Sequence, residues 1–266
     1  MLFKGTGNGE LIIGTPWDDL MYGRGGNDRI TGAGGNDFVG GGAGDDYLWG
    51  AEGTDQVYGQ RGDDHLAGGQ GAFDQLFGGA GNDELLIGES HYGSAYGGAG
   101  KDRLSGFDAP DAAYDNDMLY GGGGNDSFVT EGDYAYGGAG NDKFYAIASD
   151  IGCTFLQGGR GKDTFHWAAI DDDWQGSTVV ISDWHNGIDK LEISLLTTNG
   201  WARELSPSVL DTNADGCLSD VDDLNGYGDV SQQGDGLGGT ILVVRIGLDS
   251  LHFTGGVTGV QIDALL

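Results

Sequence analysis

The chain has 266 residues, 56 of them glycine and three proline, and its 42 acidic residues against 12 basic ones give a formal charge of −30. Such an imbalance argues against nucleic acid or an anionic membrane surface as partner, and the length fits one elongated domain or a repeat body with a tail. The two cysteines, Cys153 and Cys217, make no disulfide framework; two free thiols are favoured over a single bridge, and no apolar run is long enough for a signal peptide or a membrane span.

Residues 5–13, GTGNGELII, open a nine-residue phrase in degenerate form, with Glu10 at its sixth place and Ile12 at its eighth. The next phrase, Gly14–Tyr22, keeps Asp19 but carries Pro16 and Trp17 where glycines are usual. Full copies follow at Gly23–Thr31, Gly32–Gly40, Gly41–Trp49, Gly50–Tyr58 and Gly59–Ala67, and later at Gly78–Leu86, Gly97–Ser105, Gly121–Val129, Gly137–Tyr145 and Gly158–His166. Glycine holds places one and four, aspartate place six and an apolar residue place eight. A fixed period of this kind decides the architecture, and an atypical terminal copy is the cap of a stacked array. Glycine permits positive φ and close backbone approach. An aspartate among bare carbonyls is a hard-oxygen site suited to calcium. The place-eight residues Met21, Ile30, Val39, Leu48, Val57, Leu66, Leu76, Leu85, Leu104, Phe128, Phe144 and Phe165 supply a thin core.

This phrase is G-G-x-G-x-D-x-U-x, and from about residue 14 to 166 the chain resembles the RTX (haemolysin-type calcium-binding) family. The resemblance implies an all-β fold: a right-handed parallel β-roll in which places one to six form turns, places seven to nine form strands and two phrases complete a coil. It also implies calcium between each turn and the turn two phrases later on the same edge.

Two phrases per coil send odd and even phrases to opposite edges. The even edge carries Asp28, Asp46, Asp64, Asp83, Asp102, Asp126, Asp142 and Asp163 without a break, and the odd edge carries Asp19, Asp37, Asp55 and Asp74. Beyond Asp74 the odd edge decays. Gly88–Tyr96 has Gly93 where the acid belongs, six extra residues (106–111) precede a phrase retaining only Asp117, residues 130–136 are too short, and 146–157 are too long and lack the acid. One Ca²⁺ per neighbouring pair gives seven from the eight even aspartates and three from the four odd ones, ten in all, with poorer sites at Asp117 and Asp133. The expectation is one calcium column and one edge released to vary. Place nine of the odd phrases reads Tyr22, Gly40, Tyr58, Phe77, Tyr96, Tyr120 and Tyr136, an outward aromatic ladder whose simplest role is stacking or docking, with a sugar- or partner-binding face as the alternative.

From Trp167 the period fails, which divides the chain into a roll (1–166) and a β-rich C-terminal cap (167–266). Val179–Ser194 is similar to the segment closing the roll in RTX proteins and serralysin-type proteases, with Asp183, Trp184, Gly187, Asp189 and Lys190 matching. Asp211, Asn213, Asp215, Gly216 and Cys217, with five residues between Gly216 and Asp222, fit the spacing of an EF-hand calcium loop, though its twelfth place is aspartate and flanking helices are lacking. The final stretch resembles the uncleaved signal of type I secretion substrates, ending Asp263-Ala264-Leu265-Leu266. That resemblance implies the type I secretion machinery as partner and an extracellular location.

No H-E-x-x-H and no G-x-S-x-G occurs, and the histidines at 65, 91, 166, 185 and 252 have no metal-binding spacing. His91, on the variable edge beside Tyr92, is read as a solvated loop histidine, with contact to a ligand as the alternative. The expectation is therefore a secreted, non-catalytic calcium-binding protein that folds on Ca²⁺ outside the cell. The alternatives are a calcium-dependent adhesin with a cell-surface or polysaccharide ligand, and a secretion module related to those of extracellular enzymes.

Overall fold

The computed structural model describes residues 1–106, 116–147, 153–170, 178–183 and 188–196, with short segments at 202–204, 217–218, 228–234, 240–246, 249–253 and 260–261. Two sheets share these strands by phrase parity. The first stacks Leu2–Lys4, Leu20–Gly25, Phe38–Ala43, Gln56–Arg61, Gln75–Ala80, Ser94–Ala99, Met118–Gly123, Tyr134–Ala139, Cys153–Arg160 and Thr178–Ile181, all parallel. The second stacks Leu11–Ile13, Arg29–Gly34, Tyr47–Gly53, His65–Ala72, Glu84–His91, Arg103–Ser105, Ser127–Thr130, Lys143–Ile147, Thr164–Ile170 and Lys190–Leu196 in the same way. Met21 lies beside Val39 and Val39 beside Val57, so one coil consumes two phrases and the parallel β-roll is as expected. Both sheets run on past residue 166, with Thr154 beside Val179 and Phe165 beside Leu191. Beyond them the first sheet adds Asp249–Phe253 in parallel, then Thr240–Ile246 and Gly228–Gly234 antiparallel.

The strands are longer than places seven to nine. Leu20–Gly25 keeps its ladder through the glycines of the following phrase, pairing Arg24 with Gly42 and Gly25 with Ala43. The turn proper is reduced to places four to six. Within it the glycines serve different ends. Places two and four take positive φ, as at Gly42 (120°) and Gly44 (126°), whereas Gly41 at place one has an ordinary backbone and is needed for space. Place two also holds Arg24, Ala33, Ala51 and Gln60 at φ of 79–86°, so the early coils carry left-handed residues with side chains.

All twelve predicted place-eight residues are buried, and stacked Phe128, Phe144 and Phe165 rings (centroids 4.7 and 4.9 Å apart) form the later part of the core. Outside the first sheet the place-nine ladder is continuous, with Tyr58, Phe77, Tyr96, Tyr120 and Tyr136 stacking at 4.6–4.9 Å and within 8° of parallel. That spacing is the strand spacing itself, so the sheet sets the stack. At Gly40, where the ladder lacks a ring, Phe38 leans across from place seven and bridges Tyr22 (5.4 Å) to Tyr58 (5.0 Å).

Candidate metal centres along the turn edges

Every place-six aspartate of the roll is buried, from Asp19 at 3 % exposure to Asp28, Asp46 and Asp142 at 0 %. Each does the same thing with one oxygen. On the even edge the amide of Glu10 donates to Oδ1 of Asp28, that of Asp28 to Asp46, Asp46 to Asp64, Asp64 to Asp83, and Asp83 to Asp102, at 2.7–2.9 Å. The chain continues through Asp126, Asp142 and Asp163 to Asp189. On the odd edge it joins Asp19, Asp37, Asp55 and Asp74.

The other oxygen is different. Oδ2 of Asp28, Asp37, Asp46, Asp55, Asp64, Asp83, Asp102, Asp126 and Asp142 is buried and accepts no hydrogen bond. It turns back over the place-one glycine of its own phrase. A Cβ on Gly59 would fall on Oδ2 of Asp64 and within 2.8 Å of the Gly78 carbonyl oxygen, and Gly78, Gly97, Gly121 and Gly137 repeat the arrangement with Asp83, Asp102, Asp126 and Asp142. Carboxylate and carbonyl oxygens of adjacent coils therefore converge over a bare glycine. Among the described residues no three acidic, histidine or cysteine side chains gather into a metal cluster, so backbone oxygens must complete any coordination shell. An all-oxygen, partly anionic donor set of this kind fits a hard divalent cation such as Ca²⁺.

The electrostatics agree. Burial pushes Asp55, Asp64 and Asp142 up to about 7 against the hydrogen bond each accepts, and the neighbouring carboxylates of the column push the same way. Asp46, Asp83 and Asp126 are raised to about 6 for the same first cause. A column of like charges removed from water is unfavourable to ionise unless a cation lies between them.

A second ladder, which the repeat reading did not foresee, runs through place five in the opposite sense. Here the later amide donates to the earlier side chain: Asp45 to Asn27, Asp63 to Asp45, Asn82 to Asp63 and Lys101 to Asn82, at 2.7–3.1 Å. The recurrent Asn-Asp pair is thus two hydrogen-bond chains, one facing up the coil and one down. The signal was the repeated Asn or Asp before the invariant acid.

The odd edge needs a correction of frame. Gly88 pairs with Gly69, so Ile87, not Gly88, stands at place one. Ile87 is fully buried, and a Cβ on Gly93 would fall on its Cγ2. Glycine and aspartate have been exchanged for isoleucine and glycine: a branched hydrocarbon fills the space the carboxylate takes elsewhere. Beyond this plug Asp117 and Asp133, both 0 % exposed, stand at place six, Gly93 donating to Asp117 and Asp117 to Asp133. Ala146 and Trp167 then occupy place one, Thr154 and Val179 place six, and all are buried. On the even edge, Asp183 lies in register with Gly158 and accepts the amides of Gly158 and Gly159 at 2.9 and 2.7 Å.

The first turns are closed by hydroxyls. Thr15 donates its amide and hydroxyl to Oδ2 of Asp19 (2.6 and 2.9 Å), and Thr6 donates to Glu10 in the same way. Of the proposed second loop, Asp211, Asn213, Asp215 and Asp222 lie outside the described residues. Cys217 is described only as strand backbone, pairing with Gln261. Cys153 forms no disulfide. No helix among the described residues is long and apolar enough to cross a membrane.

Residues 6–225 match the family model described as Peptidase M10 serralysin C terminal. No curated protein matches the chain. Among solved structures, the extracellular lipase LipA from Serratia marcescens is similar at 17 % identity and a TM-score of 0.25, over 95 % of this chain and 38 % of that one.

Proposed function

The chain belongs to the peptidase M10 serralysin C-terminal family, the RTX repeat region that forms the non-catalytic end of secreted enzymes, and from this premise we propose that it is a calcium-triggered folding module that acts outside the cell. RTX repeats as a family bind calcium and accompany type I secretion. The observation that carries the reading for this chain is the row of buried Oδ2 atoms without hydrogen-bond partners facing carbonyls of the next coil.

In this reading each neighbouring pair on an edge holds one ion, through Asp28, Asp46, Asp64, Asp83, Asp102, Asp126, Asp142 and Asp163 on one side and Asp19, Asp37, Asp55 and Asp74 on the other. The pairs Asp163–Asp189 and Asp117–Asp133 add two further candidates. The loop of Asp211, Asn213, Asp215, Cys217 and Asp222 would hold one more ion in the cap region of residues 167–266, past the last parallel strands of the roll.

Magnitudes decide the trigger. With a dissociation constant of roughly 10⁻⁴ M for an extracellular-grade site, about 10⁻³ M free calcium contributes roughly 1.4 kcal/mol per site. Ten such sites give about 14 kcal/mol, the whole stability of an ordinary domain. At a cytosolic level of roughly 10⁻⁷ M the same sum vanishes. Without ions the charge of −30 and the glycine content oppose a compact state. The chain then travels unfolded and folds on arrival, as metal-coupled folding requires. The module has no catalytic role of its own in this reading. Circular dichroism in chelator and in millimolar calcium tests it: β structure appearing only with calcium is the expected result, and identical spectra would refute it.

A saccharide-binding role is a second reading, favoured by the exposed aromatic residues outside the second sheet, Tyr47, Trp49 and Tyr145. The first-sheet ladder does not support it, because those rings spend their faces on one another.

A further inference from the structure

Outside the second sheet, places seven and nine form two parallel rows that enclose a trough of about 840 Å³. Its length is set by the coils: from Tyr47 to Tyr145 it spans six strands, or roughly 25 Å at the interstrand spacing. The volume lies within the usual range for a ligand site, and the shape is that of a channel for a chain rather than a cup for one ring.

The two walls differ. In the place-nine row Trp49, 53 % exposed, has Thr31 and Ala67 as its neighbours in the adjacent coils. Neither carries a ring, so the indole stacks on no aromatic among the described residues, and Ala67 leaves a notch one side chain deep beside it. Leu86, Ser105 and Val129 continue the wall to Tyr145. The place-seven row is polar, with Arg29, Arg103 and Lys143 beside its one acid, Glu84. Glu84 accepts from Nδ1 of His65 at 2.9 Å and lies 3.7 Å from Nη1 of Arg103. Tyr47 is held between His65, stacked at 4.5 Å, and the Arg29 guanidinium at 5.3 Å.

We propose that this trough binds a neutral hexose oligosaccharide, a reading that rests on the roll being folded in calcium and on the saccharide-binding role above. A sugar chain offers C–H faces and hydroxyls that both donate and accept. The trough matches it with an exposed indole beside a notch and with one wall carrying guanidinium donors and carboxylate acceptors. The charge selects the class. A molecule of net charge −30 repels an acidic polymer at long range, while within the trough Glu84 engages His65 and Arg103, and the Arg29 guanidinium is held over Tyr47. An uncharged ligand meets no such barrier. A purely apolar peptide would leave the polar wall unmatched on desolvation.

The test is an array of neutral hexose hexasaccharides (β-glucans, mannans and galactans) with acidic glycans and an apolar peptide as comparators, probed with the full chain in millimolar calcium. Retention of at least one neutral hexasaccharide is expected, reduced tenfold or more by Trp49→Ala and by Arg103→Ala and unchanged by Tyr58→Ala on the opposite face, with circular dichroism showing all variants folded. A folded roll that retains only acidic glycans, only the peptide or nothing overturns the proposal. So does retention of a neutral glycan that is indifferent to both trough substitutions. Failure to gain β structure in calcium would instead strike the calcium reading, and glycan retention by such an unfolded chain would overturn the trough as its site.

Discussion

The two edges of the roll solve one problem in different ways. On the even edge the carboxylate column runs unbroken from Asp28 to Asp189, and the turns between Gly25 and Thr164 keep nearly constant length. On the odd edge the column stops at Asp74, is interrupted by Ile87 and Gly93, resumes with Asp117 and Asp133, and gives way to Thr154 and Val179. Up to residue 170 the longer connections, 106–117 and 148–152, fall on this second edge; past it both edges lengthen, by 171–177 here and by 182–189 on the even edge. A turn space beside the core can thus be filled by oxygen donors awaiting a cation or by hydrocarbon. Only the first demands a fixed phrase length, because a site needs two turns in register; the second tolerates insertion.

The largest expected effect comes from protons. In chelator, the raised carboxylates favour the folded state only while neutral. Their contribution is fully present below the ordinary carboxylate value, about 4, and is lost as pH rises through about 6 for Asp46, Asp83 and Asp126 and about 7 for Asp55, Asp64 and Asp142. Metal-free chain titrated by circular dichroism should gain β structure on acidification. In calcium the sense reverses, and apparent affinity should fall as pH drops below about 7, because proton and cation compete for the same oxygens.

Next in size is a break in each column. Asp64→Ala removes a ligand from two sites and should cost about 3 kcal/mol of calcium-dependent stability, twice the roughly 1.4 kcal/mol expected for Asp133→Ala at the end of the odd run. Thermal denaturation in fixed free calcium measures both. Equal losses would mean that the edges are not different in kind. The plug offers a sharper trial: Gly93→Asp alone overpacks against Ile87 and should destabilise by about 1–3 kcal/mol. Ile87→Gly with Gly93→Asp should instead raise the calcium stoichiometry found by calorimetry. The smallest change is Ala51→Gly, which relieves a left-handed alanine and should stabilise by a few tenths to about 1 kcal/mol.

Much of this was legible because it recurs. The period assigned the strand parity, the buried place-eight residues and the candidate carboxylates before any coordinates, since each appears often enough for its spacing to be measured. What escaped depends on neighbours two phrases away. Ile87 reads as the tail of one phrase until its pairing shows that it begins the next, and Asp189 reads as part of a closing motif until Asp163 donates to it. Phe38 belongs to place seven by sequence but performs a place-nine task, because Gly40 leaves a gap only a coil-mate can fill. The notch beside Trp49 likewise exists only because Ala67 comes to lie next to it.

The isoleucine-for-carboxylate exchange has a mechanical consequence. Under tension along its axis the folded roll is a set of links in series, and ionic cross-ties between coils resist opening more stiffly than contact between a methyl group and a glycine. Pulled from its two ends, the protein should crack first on the odd edge between Asp74 and Asp117, releasing the leading coils as one block.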